Sequence, residues 1–268
     1  MSDLDQFFTN TDIADKCIST INFDDYDIII EPSAGDGAFY YKIVGEKIGI
    51  DLDPKIDGLL HQDYLTFTRF IDVIDLNLKI LVLGNPPFGK NSSLAIDFFN
   101  HSAIFAHTIA FILPRTFRKP SVINRLLNNF NLRLENKLPA NSFHTPDGKI
   151  YDVPCVWQVW DKGAIRSKIK VITTHNDFKF VETKEDADFV VQRVGAGAGS
   201  THRNFDKAKP SHYWIKGSDS VYNIMKNIDW NYDDSPKYDT AGNPSISKSD
   251  LIKKYEERLQ NTSEPAPA

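Results

Sequence analysis

The segment with the most chemical content is Leu81-Val82-Leu83-Gly84-Asn85-Pro86-Pro87-Phe88-Gly89-Lys90. An apolar strand that stops at Asn-Pro-Pro-aromatic is hard to explain by folding alone. Two consecutive prolines remove two backbone donors and stiffen the turn, so the Pro86 carbonyl and the Asn85 side-chain oxygen are aimed outward together. A planar NH₂ group carries two N–H donors, and these two acceptors satisfy both. Phe88 then offers a π-face to the ring that bears the amine.

Two further junctions carry acids. In Ile28-Ile29-Ile30-Glu31-Pro32-Ser33-Ala34-Gly35-Asp36-Gly37 a hydrophobic strand feeds a tight turn of small residues. Gly35 and Gly37 permit φ > 0 and close backbone approach, as a loop folding around a nucleoside-bearing cofactor requires. Neither G-x-G-x-x-G nor G-x-x-x-x-G-K-[ST] occurs, so dinucleotide and nucleoside-triphosphate readings lose ground. Asp51 ends the next strand, sixteen positions after Gly35, where an acid accepts hydrogen bonds from both hydroxyls of a ribose. Asp53 is less favoured, since it can simply begin a turn before Pro54. Asp63 offers a carboxylate for an adenine amino group, with Tyr64 or Leu65 covering the ring.

These groups need a scaffold, and the sequence describes one. Candidate strands are Asp27–Ile30, Lys47–Asp51, Ile80–Gly84, Thr108–Leu113 and Val153–Trp160. Candidate helices lie between them at Thr11–Ile21, Ala38–Val44, Ser93–Ala106 and Val122–Asn128. Such alternation predicts a doubly wound α/β domain ending near Trp160. Composition then changes, with β-like runs at Lys168–Thr173 and Phe189–Val194, a glycine-rich 195–199 and the aromatic His212-Tyr213-Trp214-Ile215. Ser247 is placed to cap a last helix running through Arg258, and Asn261–Ala268 reads as a disordered tail.

The 268 residues hold 31 Lys and Arg against 36 Asp and Glu, a formal charge of −5, which excludes a globally basic nucleic-acid coat. Residues 190–216 depart from that balance: Arg193, Arg203, Lys207, Lys209 and Lys216 stand against Asp206, giving 5 − 1 = +4. This window reads either as a solvated loop or as a phosphate-contacting lobe. The basic run Arg115–Lys119 is equally open between a solvated loop and a phosphate clamp. Two cysteines, Cys17 and Cys155, are too few for a disulfide framework or a thiolate zinc site, and no H-E-x-x-H occurs among the seven histidines, so no metal is expected. With no leader-like N-terminus and no apolar run of membrane-spanning length, a cytoplasmic protein without a membrane partner is expected.

Residues 7 to 160 resemble the S-adenosylmethionine-dependent amino-methyltransferases, specifically the adenine-N6 group in gamma-class motif order. Phe7-Phe8-Thr9 followed by a helix resembles the family's N-terminal segment, which implies that Phe8 and Thr9 contact the methionine end of the cofactor. Glu31, Pro32, Ser33 and Gly35 match the cofactor loop, Asp51 and Leu52 the ribose and adenine contacts, and Asp63 with Tyr64 the adenine-edge pair. Asn85, Pro86, Pro87 and Phe88 match the catalytic tetrad. Phe143, or Tyr151 in its place, sits where the family has a second aromatic against a flipped base, and Lys90, Arg115, Arg203 and Lys207 are further candidates for substrate contact.

The resemblance implies a Rossmann-like class I methyltransferase fold over that stretch. The change in composition beyond it predicts a small mixed α+β C-terminal lobe and divides the chain into a catalytic domain (1–162), a substrate-binding lobe (163–260) and a tail (261–268). The resemblance also implies methyl transfer from S-adenosylmethionine to the exocyclic amine of adenine in DNA. RNA adenosine is the second reading. Protein glutamine and a non-catalytic subunit are more distant, and an additional specificity subunit is among the expected partners. Pro154-Cys155 echoes the attacking thiol of cytosine-C5 enzymes, but its place in an alternating strand reads as core packing.

Overall fold

The structure is a computed structural model that describes residues 7–69, 78–240 and 242–263. The chain forms two compact units, Met1–Ile169 and Lys170–Ala268. In chain order the first contains β1 (Phe8–Thr9), α1 (Thr11–Ile18), β2 (Ile28–Glu31), β3 (Lys47–Asp51), β4 (Leu60–His61), β5 (Ile80–Gly84), α2 (Ser93–Phe105), β6 (Thr108–Pro114), α3 (Pro120–Ile123), β7 (Phe130–Lys137), β8 (Phe143–His144), β9 (Ile150–Tyr151) and β10 (Cys155–Lys162).

The uninterrupted apolar runs become central strands because both of their faces are covered. Ile30, Val82, Ile109 and Phe111 pack with Ile96 and Phe99 of α2, while Ile29, Leu81, Leu83 and Ile112 pack with Ile13 and Cys17 of α1. The sheet order is β4-β3-β2-β5-β6-β10-β7. Neighbours from β4 to β6 run parallel, and β10 is antiparallel to both β6 and β7. From β2 the chain steps outward to β3 and β4, then returns to the other side of β2 as β5 and β6. The order therefore reverses between β2 and β5, where the crevice of a doubly wound sheet opens. The fold is the expected Rossmann-like α/β arrangement.

The helix layer is thinner than the sequence predicts. Ala38–Val44 forms only a 3₁₀ turn at Tyr40–Lys42, because the chain must reverse at Gly45 (φ 107°) to enter β3. Lys47 Nζ donates to the Tyr40 and Ile43 carbonyls at 2.8 and 3.2 Å, satisfying groups that a longer helix would have bonded internally. The helix expected over Val122–Asn128 is the shorter Pro120–Ile123, started by proline, and α1 stops at Ile18 rather than Ile21. A strand not foreseen, β7, closes the sheet edge. Gln158, buried on β10, donates to Glu135 on β7 at 2.6 Å and accepts from the Trp160 indole at 3.0 Å; Glu135 in turn pairs with Arg118 at 2.9 Å. Gln158, the Trp160 indole and Glu135 are each partnered in this way, which permits polar groups in a core.

The first unit closes where Asn124 clasps the backbone of Ile169, donating to its carbonyl at 2.9 Å and accepting from its N–H at 2.8 Å. The run Lys168–Thr173 forms no strand.

The second unit contains β11 (Phe178–Val181), β12 (Phe189–Gln192), β13 (Thr201–His202), β14 (His212–Gly217), α4 (Asp219–Lys226) and α5 (Lys248–Ser263). The strands form an antiparallel sheet in the order β11-β14-β12-β13. Phe178, Phe189, Val191 and Ile215 pack against Val221 and Met225 of α4 and against Leu251, Ile252 and Tyr255 of α5. As expected, Ser247 caps α5: its Oγ accepts from the Asp250 N–H and the Asp250 carboxylate accepts from the Ser247 N–H, a reciprocal capping box. Residues 261–263, expected in a tail, continue α5, and 264–268 lie outside the described residues. Among the described residues no helix is long and apolar enough to cross a membrane.

Candidate functional site

At the switch point the carboxyl ends of β2 and β5 lie side by side, and the close approach is built on glycine. Gly84 has φ 144°, and a Cβ there would lie 3.2 Å from Cγ of Glu31. The strand then delivers Asn85 and the buried Pro86 into the crevice. Ser33 Oγ on the β2 turn donates to the Asn85 carbonyl at 2.9 Å, so the two strand ends are tied across the switch point.

The Asn85 amide has one orientation. Its Nδ2 donates to the Phe7 carbonyl at 3.2 Å, and only the amino side of the amide can face a carbonyl. Oδ1 is thereby turned the other way, where it is buried without a hydrogen-bond partner. A buried, unpartnered acceptor is costly unless a ligand supplies the donor. Phe88 is half-buried and packs on both core layers, which fixes its ring beside this acceptor-bearing turn. The turn that follows carries left-handed backbone at Gly89, Asn91 and Ser92, and Ser92 Oγ is bonded to Thr116 Oγ1 at 2.7 Å.

Three acids converge on the neighbouring loop. Glu31 is 2 % exposed with Oε2 unpartnered, and burial, reinforced by Asp51 and Asp36, holds its carboxyl well above the usual range. Asp51 Oδ2 accepts from the Gly35 N–H and Oδ1 from the Asp53 N–H, both at 2.8 Å, clamping the loop onto the end of β3. Each carboxylate oxygen keeps a further lone pair for an external donor. Phe8 covers the loop so closely that a Cβ on Gly35 would lie 3.0 Å from its ring. Thr9 Oγ1 is buried and unpartnered. Two orphaned oxygens, one carboxylic and one hydroxylic, therefore flank this loop and fit a ligand carrying a cationic or N–H-bearing group.

The N-terminal segment is held by a small antiparallel sheet, β1-β8-β9. His144 on β8 bonds Asn10 at 2.8 Å and approaches Asp36 of the loop at 3.4 Å. Phe7 stacks on Tyr151 of β9, with centroids 3.9 Å apart and planes within 9°.

No protein-family model and no curated protein matches the chain. Its fold is similar to that of several solved structures, all at low identity. A structure described as the modification subunit of a type I restriction enzyme from Vibrio vulnificus YJ016 aligns at 15 % identity and TM-score 0.46, covering 62 % of this chain and 46 % of that one. The chain thus spans under half the length of that subunit. A structure described as an RNA methyltransferase from Pyrococcus horikoshii aligns at 15 % and 0.45, covering 60 % and 88 %. The 23S rRNA methyltransferase ErmE aligns at 14 % and 0.43, covering 60 % and 70 %.

The other residues singled out from sequence are dispersed. Leu52 is exposed, and Asp63 uses Oδ1 to cap the 3₁₀ turn Tyr64–Thr66 through the Leu65 N–H at 2.9 Å. Tyr64 is 1 % exposed and bonds Ser102 of α2, so it anchors that turn in the core and leaves the half-buried Leu65 nearer the surface. Phe143 is likewise in the core at 1 %, whereas Tyr151 is 38 % exposed. Lys90 is exposed and Arg115 is buried. Cys155 is a buried core thiol, its pKa raised by burial. In the second unit Arg203 pairs with Asp219 and lies over the Tyr222 ring, while Lys207 is exposed. Sequence reasoning missed the Phe7 carbonyl and the His144 tie. A main-chain acceptor has no residue signature, and His144 gains meaning only from the pairing of β1 with β8.

Proposed function

We propose that the first unit is an S-adenosylmethionine-dependent methyltransferase that acts on the exocyclic N6 amine of adenine, with DNA as the substrate. The observation that carries this reading is the outward-turned, unpartnered Asn85 Oδ1 beside Pro86 at the switch point of the sheet. When bound, S-adenosylmethionine supplies an electrophilic methyl group. Glu31 and Thr9 suit its charged methionine end, and Asp51 its ribose hydroxyls. Asn85 Oδ1 and the Pro86 carbonyl accept the two amine N–H groups, withdraw the lone pair from ring conjugation and stabilise the positive charge that develops on nitrogen. Both acceptors are held before substrate arrives, so little reorganisation is required at the moment of transfer. Phe88 supports the base ring, and the exposed Tyr151 is the second aromatic better placed than the buried Phe143. If the base comes from a duplex it must be extruded, and each stacking contact offsets roughly 1–3 kcal/mol of that cost.

RNA adenine is the second reading, because an amine held by two acceptors has the same geometry on either sugar. Incubation with labelled S-adenosylmethionine and, in parallel, duplex DNA, single-stranded DNA, RNA and protein extract tests both. Digestion and mass spectrometry of the product are expected to give N6-methyldeoxyadenosine. Label appearing only in RNA would move the assignment to the second reading, and label in none would overturn both.

A further inference from the structure

Most of the cations in residues 190–216 are already engaged. Arg203 pairs with Asp219, Lys209 with Glu182 at 2.5 Å, and Arg193 lies over the Tyr213 ring at 5.2 Å. The structure directs attention to a pair that the window divides. On adjacent strands, Lys179 of β11 stands directly opposite Lys216 of β14, and both are exposed. Directly opposed residues share a face, and like charges there are destabilising. Neither lysine has an ion-pair partner among the described residues. Asp188, which leads into β12, accepts through Oδ2 from the Gly217 N–H at 2.9 Å. The sheet thus carries two adjoining ammonium groups without compensation, inside a chain whose net charge is −5.

The same face continues as an aromatic row. Alternation along β14 puts Trp214 and His212 on the side of Lys216, and Val190 of β12, opposite both Trp214 and His202, brings His202 of β13 to that side as well. The His202 and His212 rings lie 5.3 Å apart. His212 is 7 % exposed; its Nδ1 donates to the Ala208 carbonyl at 3.2 Å, and its Nε2 is buried and unpartnered. The Trp214 indole N–H is also buried without a partner. Burial, His212 and the charge of Lys207 lower the pKa of His202.

We infer that this sheet face is a nucleic-acid binding surface, on which the exposed Lys179, Lys216 and Lys207 meet backbone phosphates and the half-buried Trp214 and His202 border the bases. The buried His212 is packed behind His202, and Lys209 lies over the Trp214 ring at 5.5 Å. It spans three strand spacings, about 14 Å. The inference rests on the proposed function only for the identity of the polyanion. An uncompensated lysine pair costs stability in the free protein, and phosphate is the partner whose charge offsets it.

The test measures binding of fluorescein-labelled duplex DNA, single-stranded DNA and RNA oligonucleotides to the full chain without cofactor, across a salt series. Lys179→Ala/Lys216→Ala is compared with wild type and with Lys253→Ala, an exposed lysine on α5. The double variant is expected to lose about tenfold or more in affinity and to flatten the salt slope by about two, one per phosphate contact, for at least one oligonucleotide. Its melting temperature should be unchanged or higher, because like-charge repulsion has been removed. Wild-type affinity and slope in the double variant, an equal loss in Lys253→Ala, or no binding by wild type would overturn the inference; a double variant that melts several degrees lower would overturn its premise, and the two single variants would then be read the same way. Loss of binding in the double variant while wild type methylates none of the oligonucleotides would leave this surface standing and defeat the proposed reaction.

Discussion

Asn85 owes its orientation to a main-chain atom. The Phe7 carbonyl selects which end of the amide faces the crevice, and Phe7 is itself held by its stack on Tyr151. Removing the stack in Tyr151→Ala should cost about 0.5–1.5 kcal/mol of ordering, seen as a fall in turnover of roughly 2- to 10-fold with cofactor affinity unchanged. Tyr151→Phe keeps the stack and should recover the rate; equal losses in both variants would show that the phenol and not the stack matters. Glu31 carries a second expectation. Its folded pKa lies above 4.5, so the native state holds a proton that the unfolded state releases, and stability falls as pH rises from about 4.5 through the folded value. Glu31→Gln removes that loss. Urea unfolding should show the variant gaining on wild type as pH increases from 4.5 to 8, and a gap that narrows would contradict the assignment. The turn Asn85–Phe88 was legible as a candidate site because consecutive prolines after an apolar strand have few structural explanations. Phe7 as the orienting group was not, because the bond runs across 78 positions to a backbone oxygen.

Strands buried on both faces were the readable elements. Ile28–Ile30 and Ile80–Gly84 have no polar face to confuse, whereas β7 alternates Leu132 and Leu134 with Arg133 and Glu135 at a half-solvated edge and resembles a loop. The expected helix over Ala38–Val44 shrinks to the single turn Tyr40–Lys42 between the positive-φ residues Gly37 and Gly45, and Tyr40 is pressed against Gly49, where a Cβ would come within 2.8 Å of its ring. The glycine-rich 195–199 proves to be a packing device. Gly199 has φ 96°, and a Cβ would lie 2.3 Å from Trp230. Gly199→Ala should therefore destabilise the second unit by roughly 2–4 kcal/mol, combining backbone strain with overpacking. Urea unfolding followed by tryptophan fluorescence would measure it, and a wild-type midpoint would mean that the loop relaxes freely.

Across the whole molecule, net charge was a poor guide and its distribution a better one. The +4 of residues 190–216 is halved by Glu182 and Asp219, outside the window, while Lys179 lies beyond its edge. Residues 164–177 carry no helix or strand, and Asn124 holds the backbone only as far as Ile169. Limited trypsin digestion should cut first at Lys168 or Lys170 and leave two resistant fragments; early cuts inside either sheet would contradict the two-unit description. The central claim is that Asn85 accepts the amine during methyl transfer. Its most direct test is the initial rate of label transfer from S-adenosylmethionine to an adenine-containing duplex by wild type and Asn85→Ala, alongside cofactor affinity for both. The account predicts a rate loss of about 10²–10³-fold or more with cofactor affinity within a few-fold. An Asn85→Ala protein that methylates at the wild-type rate, or that loses the cofactor instead, would contradict it.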